Sequence, residues 1–251
     1  MTTRKDGRST DQPRPITIDL GPQRNPEGSV LYRCGGTTVL VAASVQERVP
    51  DWMAGKGAGW VTAEYAMHPR ANPDRQARDG RRGRVDGRTQ EIQRLIGRAL
   101  RSAVALDKLG ERAITVDCDV LDADGGTRTA SITGGWVALA IALDGLRRRG
   151  LVGSGVLRSE VAAISVGLLG GKPVLDLCYE EDRDAEVDLN VVGTPGGALV
   201  EVQGTAEGAP VPRAQVDAML DVALGAMPVL AEAQRRALAE AKVDIDRLVA
   251  R

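Results

Sequence analysis

Residues 113–149 read AITVDCDVLDADGGTRTASITGGWVALAIALDGLRRR, and the class of fold turns on how this stretch is divided. Ala113–Asp119 alternates as a strand does, with Ile114, Val116 and Cys118 on one face. A glycine-rich turn follows. From about Thr129 to Arg149 the apolar residues change to helical spacing, with Ile132, Trp136, Val137, Ala140, Ile141 and Ala142 as the packing surface. Arg147, Arg148 and Arg149 before Gly150 suit a helix C-terminus, where positive charge meets the negative end of the dipole. This is one strand–turn–helix unit, and no regular alternation of strands and helices repeats it elsewhere.

Toward the N-terminus, Pro15–Leu20, Ser29–Arg33, Thr37–Val45 and Trp60–Ala66 read as short strands rich in Val, Ile and Thr. Turn signals at Asn25-Pro26-Glu27-Gly28 and Cys34-Gly35-Gly36 separate them. An amphipathic helix comes next, with Ile92, Leu95, Ile96, Ala99, Leu100, Ala103 and Val104 at three- and four-residue spacing. Composition changes near Gly150–Gly155, which predicts a subdomain boundary dividing residues 1–152 from 153–251. Beyond it, Val161–Leu168 with Val174–Tyr179, and Ala185–Val192 with Ala198–Gln203, read as two hairpins. Residues 212–249 read as two helices meeting at Pro228. The pattern predicts a mixed α/β (α+β) protein in two consecutive parts, not a doubly wound sheet.

At 251 residues, 43% hydrophobic and 27% charged, the composition is that of an ordinary globular chain. No apolar run approaches the roughly 20 residues that span a bilayer, and no apolar segment opens the chain as an export signal would. Cys34, Cys118 and Cys178 are odd in number, lie in apolar or strand-like contexts without metal-ligand spacing, and read as buried thiols of a reducing compartment, which predicts a cytoplasmic protein without a membrane partner. The net charge of −1 hides an asymmetry. Residues 174–251 carry 15 acidic against 7 basic side chains, leaving residues 1–173 at +7. Seven arginines (70, 75, 78, 81, 82, 84 and 88) fall between Arg70 and Arg88, in a stretch broken by glycines and Pro73. Such a basic loop is either a solvated linker or a polyanion contact, because arginine forks match phosphate oxygens.

Three local features can carry chemistry. Gly87-Arg88-Thr89 stands at the start of the amphipathic helix, where Thr89 or Asp86 can cap and Arg88 sits near the positive end of the dipole. Asp122–Ser131 places two glycines before hydroxyl and guanidinium groups at a strand-to-helix junction. Gly126, Thr127 and Arg128 there can cradle a small phosphate with help from Arg88, or form only a turn and a cap. The Walker sequence and the dinucleotide-binding glycine pattern are both missing, so neither ATP nor NAD gains support. The third feature is acidic, Glu180–Asn190. Read as a turn entering a strand, it sends Ala185, Val187, Leu189 and Val191 one way and Asp184, Glu186, Asp188 and Asn190 the other. Asp182 at the turn and Asp188 in the strand can hold Mg²⁺ or Mn²⁺ through hard oxygen ligands, unless the row is simply a solvated face. His68 is the single histidine, so Ser-His-Asp catalysis and a His-rich zinc site are set aside.

Several stretches together resemble the bacterial ribonuclease PH family along nearly the whole chain. They include Asp6-Gly7-Arg8, Arg14-Pro15-Ile16, Pro26–Val30, Gly59–Tyr65, Gly87–Arg98, Asp117–Val120, Asp124–Gly134, Asp176-Leu177, Tyr179–Asp182, Ala185–Asp188 and Glu201–Thr205. The family is similar to one lobe of polynucleotide phosphorylase and to exosome ring subunits. The resemblance implies a ribonuclease PH-type domain with a mixed sheet and packed helices, then a smaller α/β subdomain, assembled as a homohexamer (a trimer of dimers). It implies a nucleotidyltransferase reaction. Inorganic phosphate attacks the 3′-terminal phosphodiester of tRNA precursors and other RNA, ribosomal RNA included, and a nucleoside diphosphate is released. The reverse reaction adds nucleotides. It assigns Arg88 to the attacking phosphate, with Gly126, Thr127 and Arg128 completing that pocket. Asp182 and Asp188 would hold a divalent metal such as Mg²⁺ or act in acid catalysis. Arg70, Arg75 and Arg78, backed by Arg81, Arg82 and Arg84, would contact tRNA.

Rival classes are an inactive RNA-binding ring subunit, a hydrolytic metal-dependent nuclease, and a kinase or dehydrogenase. The first is disfavoured by retention of both phosphate segments and both aspartates. The second leaves two arginine-based phosphate sites unexplained, and the third lacks its glycine motif.

Overall fold

A computed structural model of the protein describes residues 4–78 and 85–250. Five strands, β1 (Ile16–Leu20), β2 (Gly28–Cys34), β3 (Thr37–Gln46), β4 (Trp60–Met67) and β5 (Ala113–Asp122), form a mixed sheet in the order β1-β2-β3-β5-β4. The β4–β5 pair is parallel and the other pairs are antiparallel. The crossover between β4 and β5 carries α1 (Gly87–Ser102) and the short α2 (Leu106–Leu109), and α1 packs on β4. Asp86 caps α1 by accepting a 2.9 Å bond from the Gly87 amide. Ile92, Leu95, Ile96, Ala99 and Leu100 form its buried stripe.

After β5 the chain enters α3 (Thr127–Arg148), which packs against β2 and β3 on one side and β6 (Ala162–Leu169) on the other. Being enclosed, it is apolar nearly all round. By length and composition α3 could cross a membrane, contrary to the expectation that no such run exists, but 89% of that apolar stretch is buried inside the protein, as in a core helix. Its close approach to β2 requires Gly28, where an added Cβ would lie 2.1 Å from the Ala138 carbonyl oxygen. The second sheet is antiparallel, in the order β7-β6-β8-β9, with β7 (Lys172–Leu175), β8 (Val187–Gly193) and β9 (Leu199–Ala206). Both expected hairpins are present. Strand β6 lies between α3 and α5 (Arg213–Glu240), which explains its unbroken apolar run. The chain closes with α6 (Ile245–Leu248), and Leu248 rejoins the core beneath the first sheet.

Two expectations fail locally. Val174–Tyr179 is not one strand. Strand β7 ends at Leu175, because Asp176 takes a left-handed backbone (φ 53°), and Tyr179–Asp184 forms a short helix, α4. The C-terminal helices expected to meet at Pro228 are one helix, α5, which runs through it. Pro228 lies on the exposed face, while Ala223, Ala226, Met227, Leu230 and Ala231 continue a single buried face across it. Burial on both sides outweighs the lost backbone bond. Helix α5 is also long and apolar enough to cross a membrane, with 33% of that stretch buried. Cys34 and Cys118 are buried as expected; Cys178 is only partly so, and all three are free thiols.

Candidate active site

The three chemical features converge on one cleft of about 640 Å³ between the two sheets. Arg88 comes from the first turn of α1, and Gly126, Thr127 and Arg128 from the start of α3. Asp182 comes from α4 and Asp188 from β8, and all six line this cleft. Thr127 and Arg128, expected in a loop before the helix, belong to its first turn. Gly126 is the N-cap residue, with φ 64°, a left-handed conformation that suits glycine. The N-termini of α1 and α3 therefore open on the same space as two arginines, an arrangement suited to an anion. The Tyr65 hydroxyl lies 2.8 Å from Thr127 Oγ1 and fixes that side chain. Arg128 donates to Gln203 Oε1 at 3.3 Å and passes 3.9 Å from Glu91.

The acidic side is built differently from the expected row. Asp184 pairs with its neighbour Arg183, and Glu186 accepts from the Gly171 amide, so both leave the cleft. Asp182 and Asp188 remain. Burial pushes the Asp188 carboxyl up to about 6, and the Asp182 carboxylate adds to the effect; Arg128, the Asn190 amide and Arg88 oppose it. Asp182 is likewise raised, by burial first and by Glu207, against the pull of Arg88 and Arg128. The arginines thus act electrostatically on both carboxyls. Asn190 Nδ2 donates to Asp188 Oδ2 at 3.2 Å, while Asp188 Oδ1 is buried with no hydrogen-bond partner.

That orphaned oxygen beside a second carboxylate fits a hard cation. Among the described residues no group of three or more His, Cys, Asp or Glu is arranged to hold a metal. Two carboxylates alone suit an ion such as Mg²⁺, which keeps waters and shares phosphate oxygens.

Arg70, Arg75 and Arg78 are exposed and do not line the cleft, but Asn72, Gln76 and Ala77 of the same segment do. The base of this segment is fixed where the Ala123 amide, just before the Gly126–Arg128 turn, donates 2.9 Å to the Ala71 carbonyl. Arg81, Arg82 and Arg84 lie outside the described residues. Tyr65, Ser165, Tyr179 and Glu207 also line the cleft. Sequence reasoning misses all four for chemistry, since their neighbours come from distant segments and no local spacing marks them.

Comparison with known proteins adds independent findings. The model of the 3′ exoribonuclease family, domain 1, matches residues 12–143, and that of domain 2 matches residues 159–226. Among curated proteins, Ribonuclease PH of Rhodococcus erythropolis is 53% identical over 96% of this chain and 92% of its own length. Ribonuclease PH of Mycobacterium ulcerans is 55% identical over 95% of this chain and 93% of its own. Among solved structures, rice (Oryza sativa) Rrp46 superposes with a TM-score of 0.76 at 19% identity, covering 94% of this chain and all of that one. The Archaeoglobus fulgidus exosome with RNA bound to the active site gives a TM-score of 0.75 at 24% identity, covering 92% of each chain. At these identities the structural matches speak to the fold alone.

Proposed function

The chain belongs to the 3′ exoribonuclease family and is a phosphorolytic 3′→5′ exoribonuclease; from that premise we propose that its substrates are tRNA precursors, with ribosomal RNA ends as further substrates. The observation that carries the reading is the meeting of two helix N-termini, Arg88 and Arg128 with Asp182 and Asp188 in one cleft. Residues 1–152 supply the phosphate side and residues 153–251 the acidic side.

In this reading inorganic phosphate sits against Arg88, the Gly126–Arg128 turn and the Thr127 hydroxyl. One of its oxygens attacks the phosphorus of the 3′-terminal nucleotide. The new phosphorus–oxygen bond forms as the bond to the preceding 3′-oxygen breaks, and a nucleoside 5′-diphosphate leaves. The guanidinium groups and helix amides neutralise two anions that must approach each other, then the charge spread over the transition state. Asp182 and Asp188 would hold a divalent cation, Mg²⁺ by preference, which supplies charge stabilisation at the phosphoryl oxygens. The departing 3′-oxygen takes a proton; where Asp188 is not engaged with a cation, burial and the Asp182 carboxylate favour its protonated form, which can deliver one. Arg70, Arg75 and Arg78, with Arg81, Arg82 and Arg84, would engage the tRNA backbone outside the cleft. By likeness to ring-forming relatives the chain would assemble as a homohexamer, a trimer of dimers, in the cytoplasm.

The test is to incubate a tRNA bearing a short 3′ extension with enzyme and Mg²⁺, with and without phosphate. Phosphate-dependent release of nucleoside diphosphates is expected. Monophosphates released without phosphate would indicate hydrolysis, and RNA binding without release would indicate an architectural subunit.

A further inference from the structure

Three stretches that carry the family resemblance have no part in the chemistry above: Asp6-Gly7-Arg8, Arg14-Pro15-Ile16 and Asp176-Leu177. The fold brings Arg8, Arg14 and Asp176 of these stretches to one buried point behind the cleft. The Arg14 side chain is 5% exposed and that of Asp176 4%. Arg14 Nη2 and Nε donate to the two carboxylate oxygens of Asp176 at 2.7 and 3.0 Å, and the Arg14 amide adds a 2.7 Å bond. The far side of the same guanidinium donates to the carbonyls of Asp124 and Gly125, the two residues before Gly126. Arg14 therefore grips the phosphate turn by its backbone.

Asp176 faces the other way through its main chain. Its carbonyl accepts from Arg4 Nη2 at 2.9 Å and Arg8 Nη1 at 3.1 Å. Arg4 also forks onto Glu181 at 2.8 and 2.6 Å, one residue from Asp182. Glu181 in turn accepts from the Cys178 amide at 3.1 Å, fixing the start of α4. The Tyr179 amide donates to Asp124 Oδ1 at 3.1 Å and closes the circuit between α4 and the phosphate turn. Asp176 occupies this node in a left-handed conformation that few L residues adopt. Burial alone pushes its carboxyl up, but the bonds from Arg14 outweigh that and hold it below the ordinary carboxylate range.

Phosphorolysis gains its rate from placing an anion in line with a phosphodiester and from charge already in position, so small errors of placement are costly. The phosphate turn and the acidic helix come from different sheets and need a common reference. We infer that Arg14 and Asp176, joined to Glu181 through Arg4, are positioning residues that set the phosphate turn of Gly126–Arg128 against the acidic helix bearing Asp182. The inference rests on the proposed roles of those two segments. It assigns Arg14 to the placement of phosphate and Arg4 to the placement of the acidic helix.

The experiment measures steady-state kinetics of the full-length enzyme on a short RNA with Mg²⁺ and varied phosphate. RNA affinity is measured separately without phosphate, at a temperature where circular dichroism shows each variant folded. Arg14→Lys keeps the charge but loses the fork, and Asp176→Asn keeps the shape but loses the charge. Each should raise the KM for phosphate about tenfold or more, with RNA affinity within about twofold of wild type. The double variant should lose little beyond either single change. Arg4→Ala should lower kcat with the phosphate KM unmoved. Guanidinium ion in the millimolar range should partly restore Arg14→Ala. Variants that melt at lower temperature but show wild-type kinetics while folded would overturn the inference and leave only a structural staple. So would a loss of RNA affinity matching the loss of phosphate affinity. If the wild type itself showed no phosphate dependence, the functional reading would fail instead, which keeps the two failures apart.

Discussion

Asn190 Nδ2 holds one oxygen of the Asp188 carboxylate at 3.2 Å and leaves the other, Oδ1, buried without a hydrogen-bond partner. A carboxylate half-satisfied in this way, beside the second carboxylate Asp182, is biased toward its protonated form, and its pKa stands at about 6. Proteins keep such groups where function needs them, at a cost in stability.

That cost has a sign that can be tested. The folded pKa of Asp188 is raised above the ordinary value of 3.8, so folding disfavours the charged form. The penalty is fully present above about pH 6 and disappears as pH falls below 3.8. Asp188→Asn should therefore abolish turnover yet stabilise the metal-free protein by about 1–3 kcal/mol at pH 7–8. The gain should fade toward pH 4. Thermal melts in a chelating buffer across pH 4–8 check this; a variant less stable than wild type at pH 8 would contradict the burial argument.

Arg88 lines the cleft, whereas Arg70, Arg75 and Arg78 of the exposed basic segment do not. Arg88→Ala should lower kcat/KM for phosphate by roughly 10²-fold or more, the scale of losing one charged donor at a transition state. RNA binding should be largely kept. A filter-binding assay beside the rate measurement separates the two effects.

Substitutions of Arg70, Arg75 and Arg78 should do the reverse. Each change to Ala is expected to weaken tRNA binding and to reduce the slope of log affinity against log salt by about 1 for every phosphate left without its arginine. The phosphate KM should not move. Equal loss of RNA binding in Arg88→Ala and in the loop variants would refute this division of labour.

The 2.8 Å bond between the Tyr65 hydroxyl and Thr127 predicts a smaller effect. Tyr65→Phe removes one neutral hydrogen bond, worth about 0.5–1.5 kcal/mol, and should raise the phosphate KM roughly twofold to tenfold. Unchanged phosphate kinetics would mean that Thr127 needs no such support.

Much of the fold is legible in the sequence wherever local pattern decides. Helix α1 shows itself through Ile92, Leu95, Ile96, Ala99 and Leu100, and β5 through its alternation, because both bury a single face. Arg88, Gly126, Thr127, Arg128, Asp182 and Asp188 are singled out by motif and spacing, and the fold gathers all six into one cleft. What the sequence hides is set by distant partners. The expected strand Val174–Tyr179 breaks because Asp176 turns to meet Arg14, 162 residues away, and that partner leaves no local trace. Pro228 reads as a helix boundary because local propensity says so, whereas tertiary burial on both sides of it decides otherwise. The expected carboxylate row dissolves for a related reason: Tyr179–Asp184 coils into a helix, and of that helix's carboxylates only Asp182 lines the cleft with Asp188.

The central claim is that inorganic phosphate, not water, is the nucleophile. The most direct measurement uses ¹⁸O-labelled inorganic phosphate with a short RNA and Mg²⁺, followed by mass spectrometry of the released nucleotides. Label should appear in nucleoside diphosphates, carried by the β-phosphate and its bridge to the α-phosphorus. Unlabelled nucleoside monophosphates as the main product, formed at the same rate without phosphate, would contradict the account.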